Sequence, residues 1–199
     1  GIGADPILQV PSHYSAEQAA ELVTFFNGNP KRKPIRYWSI GNEPLIRVRH
    51  DREAMLKKLD EVYSFLTRLA PAMKTADPTI KILVFDSEGL PIDNTEKLNY
   101  DAYEALVGGR LDITGKDKNG RWLVDGINFH LYPNRLDYTR DHVIFTSTHM
   151  VRQATRQVNE LIEKANKKHG RTGDKRLLGS LTEINVNAGN PNREITGIG

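Results

Sequence analysis

The sequence has no cysteine, and that absence removes disulfides, thiol nucleophiles and thiolate metal sites together. It also lacks any apolar run near the roughly 18 to 20 residues of a membrane span, so no membrane crossing is expected. Gly1 to Pro11 combines no basic segment with an apolar core, so no export signal is visible. Neither sign of charge dominates: 28 basic side chains face 25 acidic ones, for a net charge of +3. So small a surplus forms no tract suited to a phosphate backbone, and nucleic acid is not expected as a partner. The six histidines show no His-x-x-x-His or carboxylate-rich ligand spacing. No metal and no other cofactor is expected.

The 199 residues, 38% of them hydrophobic, suit one domain with a sizeable core spanning 1–199. Short β-rich runs alternate with longer helical patterns. Strands are predicted at Pro6–Val10, Ile35–Ile40, Ile80–Phe85, Val124–Leu131 and Leu177–Ile184. Between them, Ser15 with Gln18 reads as a capped helix start. Met55, Leu59, Val62, Leu66, Leu69 and Met73 recur at helical spacing behind the cap Asp51, with Pro71 predicting a kink or early stop. A weaker helix is expected over Tyr100–Val107 and a long one over Thr146–Lys168; Leu111–Leu123 reads as an excursion. From Asn185 onward no further element is predicted. This α/β order implies parallel strands with helical crossovers, either an open doubly wound sheet or a (β/α)8 barrel. A nucleotide-binding open sheet would carry a glycine-rich turn after its first strand, and Val10-Pro11-Ser12-His13-Tyr14 has no glycine.

In parallel α/β folds functional side chains gather at the carboxyl ends of strands. Ile40-Gly41-Asn42-Glu43-Pro44 presents an amide and a carboxylate at such an end. Glu183 occupies the equivalent place on the last strand, where a carboxylate needs hydrogen bonds, a cation or a chemical role. His130 and Tyr132 share a face at the end of a third strand. Asp86 is a further polar group at the rim. Trp122, in the excursion, is the better exposed of the two tryptophans and the candidate aromatic binding surface. Two carboxylates across a cleft can divide the work of acid and nucleophile, as glycoside hydrolysis requires.

These motifs resemble clan GH-A, the 4/7 superfamily of retaining glycoside hydrolases. The resemblance covers about Asp5 to Asn187 and is strongest at Ile40–Pro44. It implies a (β/α)8 TIM barrel present as a partial barrel, about strands 3 to 7, because only one strand precedes Glu43 and none follows Glu183. The chain would then be an interior segment, incomplete at both ends. It further implies Glu43 as acid/base, Asn42 as its partner on the sugar 2-hydroxyl, and Glu183 as nucleophile. Tyr132 and His130 would orient Glu183 and line the cleavage subsite. The partner expected is a carbohydrate, and the location expected is secreted or periplasmic.

Overall fold

The computed structural model describes residues 3–48, 50–88, 97–132 and 140–184. Five strands, β1 (Ile7–Val10), β2 (Tyr37–Ile40), β3 (Lys81–Glu88), β4 (Gly126–Leu131) and β5 (Leu178–Ile184), alternate with four helices. The helices are α1 (Ala16–Asn27), α2 (Arg52–Ala76), α3 (Lys97–Leu106) and α4 (Arg140–His169). Every pair of neighbouring strands is parallel, and their order across the sheet is the order of the chain. A doubly wound sheet reverses its strand order at a switch point, and none occurs among these five strands. Successive right-handed crossovers in one direction put the helices on one face.

Local chemistry sets the helix starts. Ser15 Oγ accepts from the Gln18 N–H at 3.2 Å, and Gln18 Oε1 accepts from the Ser15 N–H at 2.9 Å. The Asp51 carboxylate accepts from the Ala54 N–H at 3.0 Å. The predicted stripe from Met55 to Met73 is buried throughout. Pro71 does not stop α2, which runs on to Ala76. The Arg121 guanidinium donates to the Lys74 carbonyl, left without a helical donor at the end of α2, and also to the Pro71 carbonyl. α3 and α4 each begin a few residues earlier than the sequence pattern predicts, and the segment from Asn185 lies outside the described residues.

Alternation along the strands divides the side chains. Trp38, Ile40, Ile82, Val84, Ile127, Phe129 and Leu131 join the apolar core with the helices. Ser39, Asp86, Asn128 and His130, also buried, turn to the other face. At the amino-terminal end of the sheet a polar cluster ties the elements together. Lys74 Nζ donates to Asp125 Oδ2 and to the Trp122 carbonyl, both at 2.6 Å. The Ile82 N–H reaches the same Asp125 oxygen at 3.0 Å. Arg171, 2% exposed, donates to the carbonyls of Thr114, Val124 and Lys175.

Close strand contact at β4 yields a packing prediction. A Cβ on Gly126 would lie 2.7 Å from Leu83 Cδ2 and 3.0 Å from the Leu178 carbonyl oxygen. Gly126→Ala is therefore expected to cost about 1–3 kcal/mol by overpacking, read as a lower midpoint in urea with an unchanged m-value.

Candidate active site

Four of the five strands send chemistry to one place at their carboxyl ends. After β2 the chain passes through Gly41, whose φ of 78° uses glycine's freedom, and Glu43 itself sits at φ 41°. The Glu43 N–H donates to the Asp86 carbonyl at 2.7 Å, fixing this turn to β3. In β3 the ladder shifts between Val84 and Ser87, where Phe85 and Asp86 have φ of 105° and 23°. That bulge lets Phe85 pack on Tyr103 among the helices while Asp86 turns to the inner face. A second register shift, beside Phe129 and His130, brings Glu183 opposite His130.

His130 sits at the centre of the cluster. Its Nδ1 lies 3.0 Å from Glu43 Oε1 and 3.5 Å from Glu183 Oε2, and its Nε2 lies 3.3 Å from Asp86 Oδ1. The Tyr132 hydroxyl donates to Glu183 Oε2 at 2.5 Å. One oxygen from each of Glu43 and Glu183, with a His130 nitrogen, all fall within 4.8 Å of one another. Such donors could face a cation; their closeness also follows from the hydrogen bonds that His130 and Tyr132 make.

Asp86 is buried, not on the rim. Ser39 Oγ and Asn128 Nδ2 donate to its Oδ2, and Thr182 Oγ1 donates to Oδ1 at 2.7 Å. Burial alone would raise its carboxyl pKa; hydrogen bonds from His130, Ser39, Thr182 and Asn128 outweigh it and hold the group below the ordinary aspartate range. Burial would likewise push the His130 imidazole down. Its hydrogen bonds to Asp86 and Glu43, with the charge of Glu183, carry it above the ordinary histidine range instead.

Glu43, Glu183, His130 and Tyr132 thus come together as the sequence suggests, with one difference. His130 is closer to Glu43 than to Glu183, and Tyr132 bonds Glu183. Asn42 is exposed beside Glu43, 3.4 Å from Gln9 Nε2. Trp122 does not join the cluster. It lies before β4 at the opposite end of the strands, with the Arg171 guanidinium 4.2 Å from its ring centroid, so it cannot serve as a platform for a sugar at Glu43. Ser39, Asn128 and Thr182, which hold Asp86, were not singled out from sequence. Their signal is a polar residue at an inward position of an otherwise apolar strand.

A groove of about 1110 Å³ opens beside Glu43, lined by His13, Asn42, Pro44, Arg47 and the face of α2 carrying Lys57, Phe65 and Arg68. Its wall exists because α2 has 25 residues against 12 in α1, roughly 37 Å against 18 Å. Arg68, well along α2, donates to the Tyr14 carbonyl just ahead of α1. The earlier turns of α2 therefore rise beyond the level at which α1 begins.

No protein-family model matches the sequence, and no curated protein matches it. Solved structures do match. The family 51 α-L-arabinofuranosidase AbfB of Bifidobacterium longum aligns over 97% of this chain and 38% of its own, at 16% identity and TM-score 0.58. The Thermotoga maritima α-L-arabinofuranosidase aligns over 84% and 33%, at 18% identity and TM-score 0.53. A Paenibacillus polymyxa family 44 xyloglucanase aligns over 87% and 46%, at 13% identity and TM-score 0.53. The fold is a partial (β/α)8 barrel. The partial barrel spans less than half the length of these three structures, all of them glycoside hydrolases. Its cluster stands at the barrel end where enzymes of this architecture place their active sites.

Proposed function

We propose that this chain carries the catalytic centre of a retaining glycoside hydrolase that cleaves O-glycosidic bonds of a poly- or oligosaccharide. The observation that carries the reading is the approach of the Glu43 and Glu183 carboxylates, with oxygens within 4.8 Å. Retaining enzymes keep their two carboxyl groups about 5–5.5 Å apart, whereas inverting enzymes leave about 6.5–9.5 Å for a water. The short separation favours the first class.

In the first step Glu183 attacks the anomeric carbon, the bond to the leaving oxygen breaks, and Glu43 gives that oxygen its proton. A glycosyl ester on Glu183 results. In the second step Glu43 takes a proton from water, whose oxygen displaces the Glu183 carboxylate from the same carbon. The Glu43 side chain is 18% exposed and lies beside His130, while Glu183 is 41% exposed and accepts from Tyr132. The groove beside Glu43 is placed for the leaving portion of the glycan. Asn42, next to Glu43, is the residue we assign to the sugar 2-hydroxyl. Enzymes of this kind that attack polymers are usually exported, so a secreted or periplasmic location belongs to the proposal.

Proton NMR of the first product decides the stereochemistry. Retention of anomeric configuration is expected before mutarotation, and an inverted first product would overturn the double displacement. Glycan binding without hydrolysis, surviving both Glu43→Gln and Glu183→Gln, would make the protein a carbohydrate-binding one instead.

A further inference from the structure

We propose that Asp86, His130 and Glu43 form a proton-holding chain, in which His130 positions Glu43 and shares with it the proton that Glu43 delivers. The kinetic part of this inference rests on the acid/base role of Glu43; the chain itself rests on geometry alone.

Both ring nitrogens of His130 face carboxylate oxygens, Asp86 Oδ1 at 3.3 Å and Glu43 Oε1 at 3.0 Å. A neutral imidazole has one N–H and can satisfy only one of these contacts as donor. The chain must hold a second hydrogen, either on the ring or on the Glu43 carboxyl. Asp86 decides where the first one sits. It is 2% exposed, Ser39 and Asn128 donate to one of its oxygens, and Thr182 donates to the other. So well-solvated an anion stays ionised and keeps hydrogen on Nε2. The second hydrogen then lies in the Nδ1–Oε1 contact. His130, 1% exposed, exchanges it with no solvent in between.

Among the described residues, the titratable groups facing this pair are acidic or phenolic. Asp86 comes from β3, Glu183 from β5 with Oε2 3.5 Å from Nδ1, and the Tyr132 hydroxyl occupies that same Glu183 oxygen. Three carboxylates therefore surround one imidazole, and positive charge on the ring is favoured. Once Glu43 has passed its proton to the leaving group, Nδ1 is the donor positioned to steady the new carboxylate. Because the two sites are coupled, loss of the shared proton is one macroscopic event belonging to the pair.

Two readouts test the chain in the full protein. Nitrogen-15 NMR of the imidazole is expected to show both His130 nitrogens protonated at neutral pH. Glu43→Gln and Asp86→Asn are each expected to move its titration midpoint down by about one unit or more. A midpoint unchanged by Glu43→Gln would overturn the shared proton, whether or not the protein hydrolyses anything. In kinetics, the alkaline limb of kcat/KM is expected to fall to lower pH by about one unit or more in His130→Gln. A lone carboxyl ordinarily titrates about two units below imidazole. An alkaline limb that stays put or moves up, in a folded variant, would reduce His130 to packing. His130→Asn supplies a second variant should the glutamine disturb folding. If the wild type hydrolyses no glycoside, the glycosidase reading fails and the NMR arm still decides the chain.

Discussion

Glu183→Gln is expected to lower kcat on aryl glycosides by about 10,000-fold or more, while Tm stays within about 2 °C. The kinetic loss equals about 5.4 kcal/mol of transition-state stabilisation at 1.36 kcal/mol per decade. An amide oxygen is too poor a nucleophile to form the glycosyl ester, so the first displacement has no attacking group. The fold should not notice. Glutamine keeps the shape, its carbonyl still accepts from Tyr132, and the position is 41% exposed. A smaller replacement, Glu183→Gly, opens the space beside the anomeric carbon. Sodium azide is then expected to restore turnover of substrates with good leaving groups, giving a glycosyl azide of inverted configuration because only one displacement remains. An active Glu183→Gln preparation, its identity confirmed by mass spectrometry, would remove the nucleophile role.

The second large effect lies at the other end of the barrel and concerns stability. Lys74→Met is expected to destabilise the protein by about 3–5 kcal/mol, because removing one member of a buried ion pair strands the other. At roughly 2–4 °C per kcal/mol for a chain of this size, Tm falls on the order of 10 °C in calorimetry. The Lys74 and Asp125 side chains are 7% and 9% exposed, so solvent compensates little. Lys81, 3.3 Å from the second Asp125 oxygen, keeps the loss from being larger. Replacing Asp125 by Leu as well should recover only part of it, since the Ile82 N–H then loses its acceptor. With the folded fraction accounted for at low temperature, kcat should hardly change. A Tm drop below about 2 °C would mean that water or Lys81 already satisfies Asp125.

What was legible in the sequence were the features written into local pattern. Strand and helix alternation, the Ser15–Gln18 box and the buried stripe of α2 all follow from periodicity and capping. Glu43, Glu183, His130 and Tyr132 were legible because each lies where an apolar strand run ends. Asp86 leaves the rim for the inner face because its position depends on a bulge, and nothing in Val84-Phe85-Asp86-Ser87 announces that the ladder slips there. Trp122 departs from its expected place for a different reason. An excursion between two elements can fold toward either end of a sheet, and contacts remote in sequence, Lys74 and Arg171, decide which. Pro71 shows a third kind of limit, since α2 runs through it to Ala76 and a proline inside a helical pattern does not by itself fix where the helix ends.

The unequal helices have a consequence for how the protein can change. Ser39, Asp86, Asn128 and His130 support the cluster from buried positions between strands, so an alteration among these four is felt by the sheet. The upper turns of α2 are different, because Lys57, Glu61 and Ser64 line the groove from exposed helical positions outside the core. Substitutions at such positions usually shift stability by less than about 0.5 kcal/mol. Under the proposed function, the same fold would exchange one glycan preference for another along a single helix, without a change at Glu43 or Glu183.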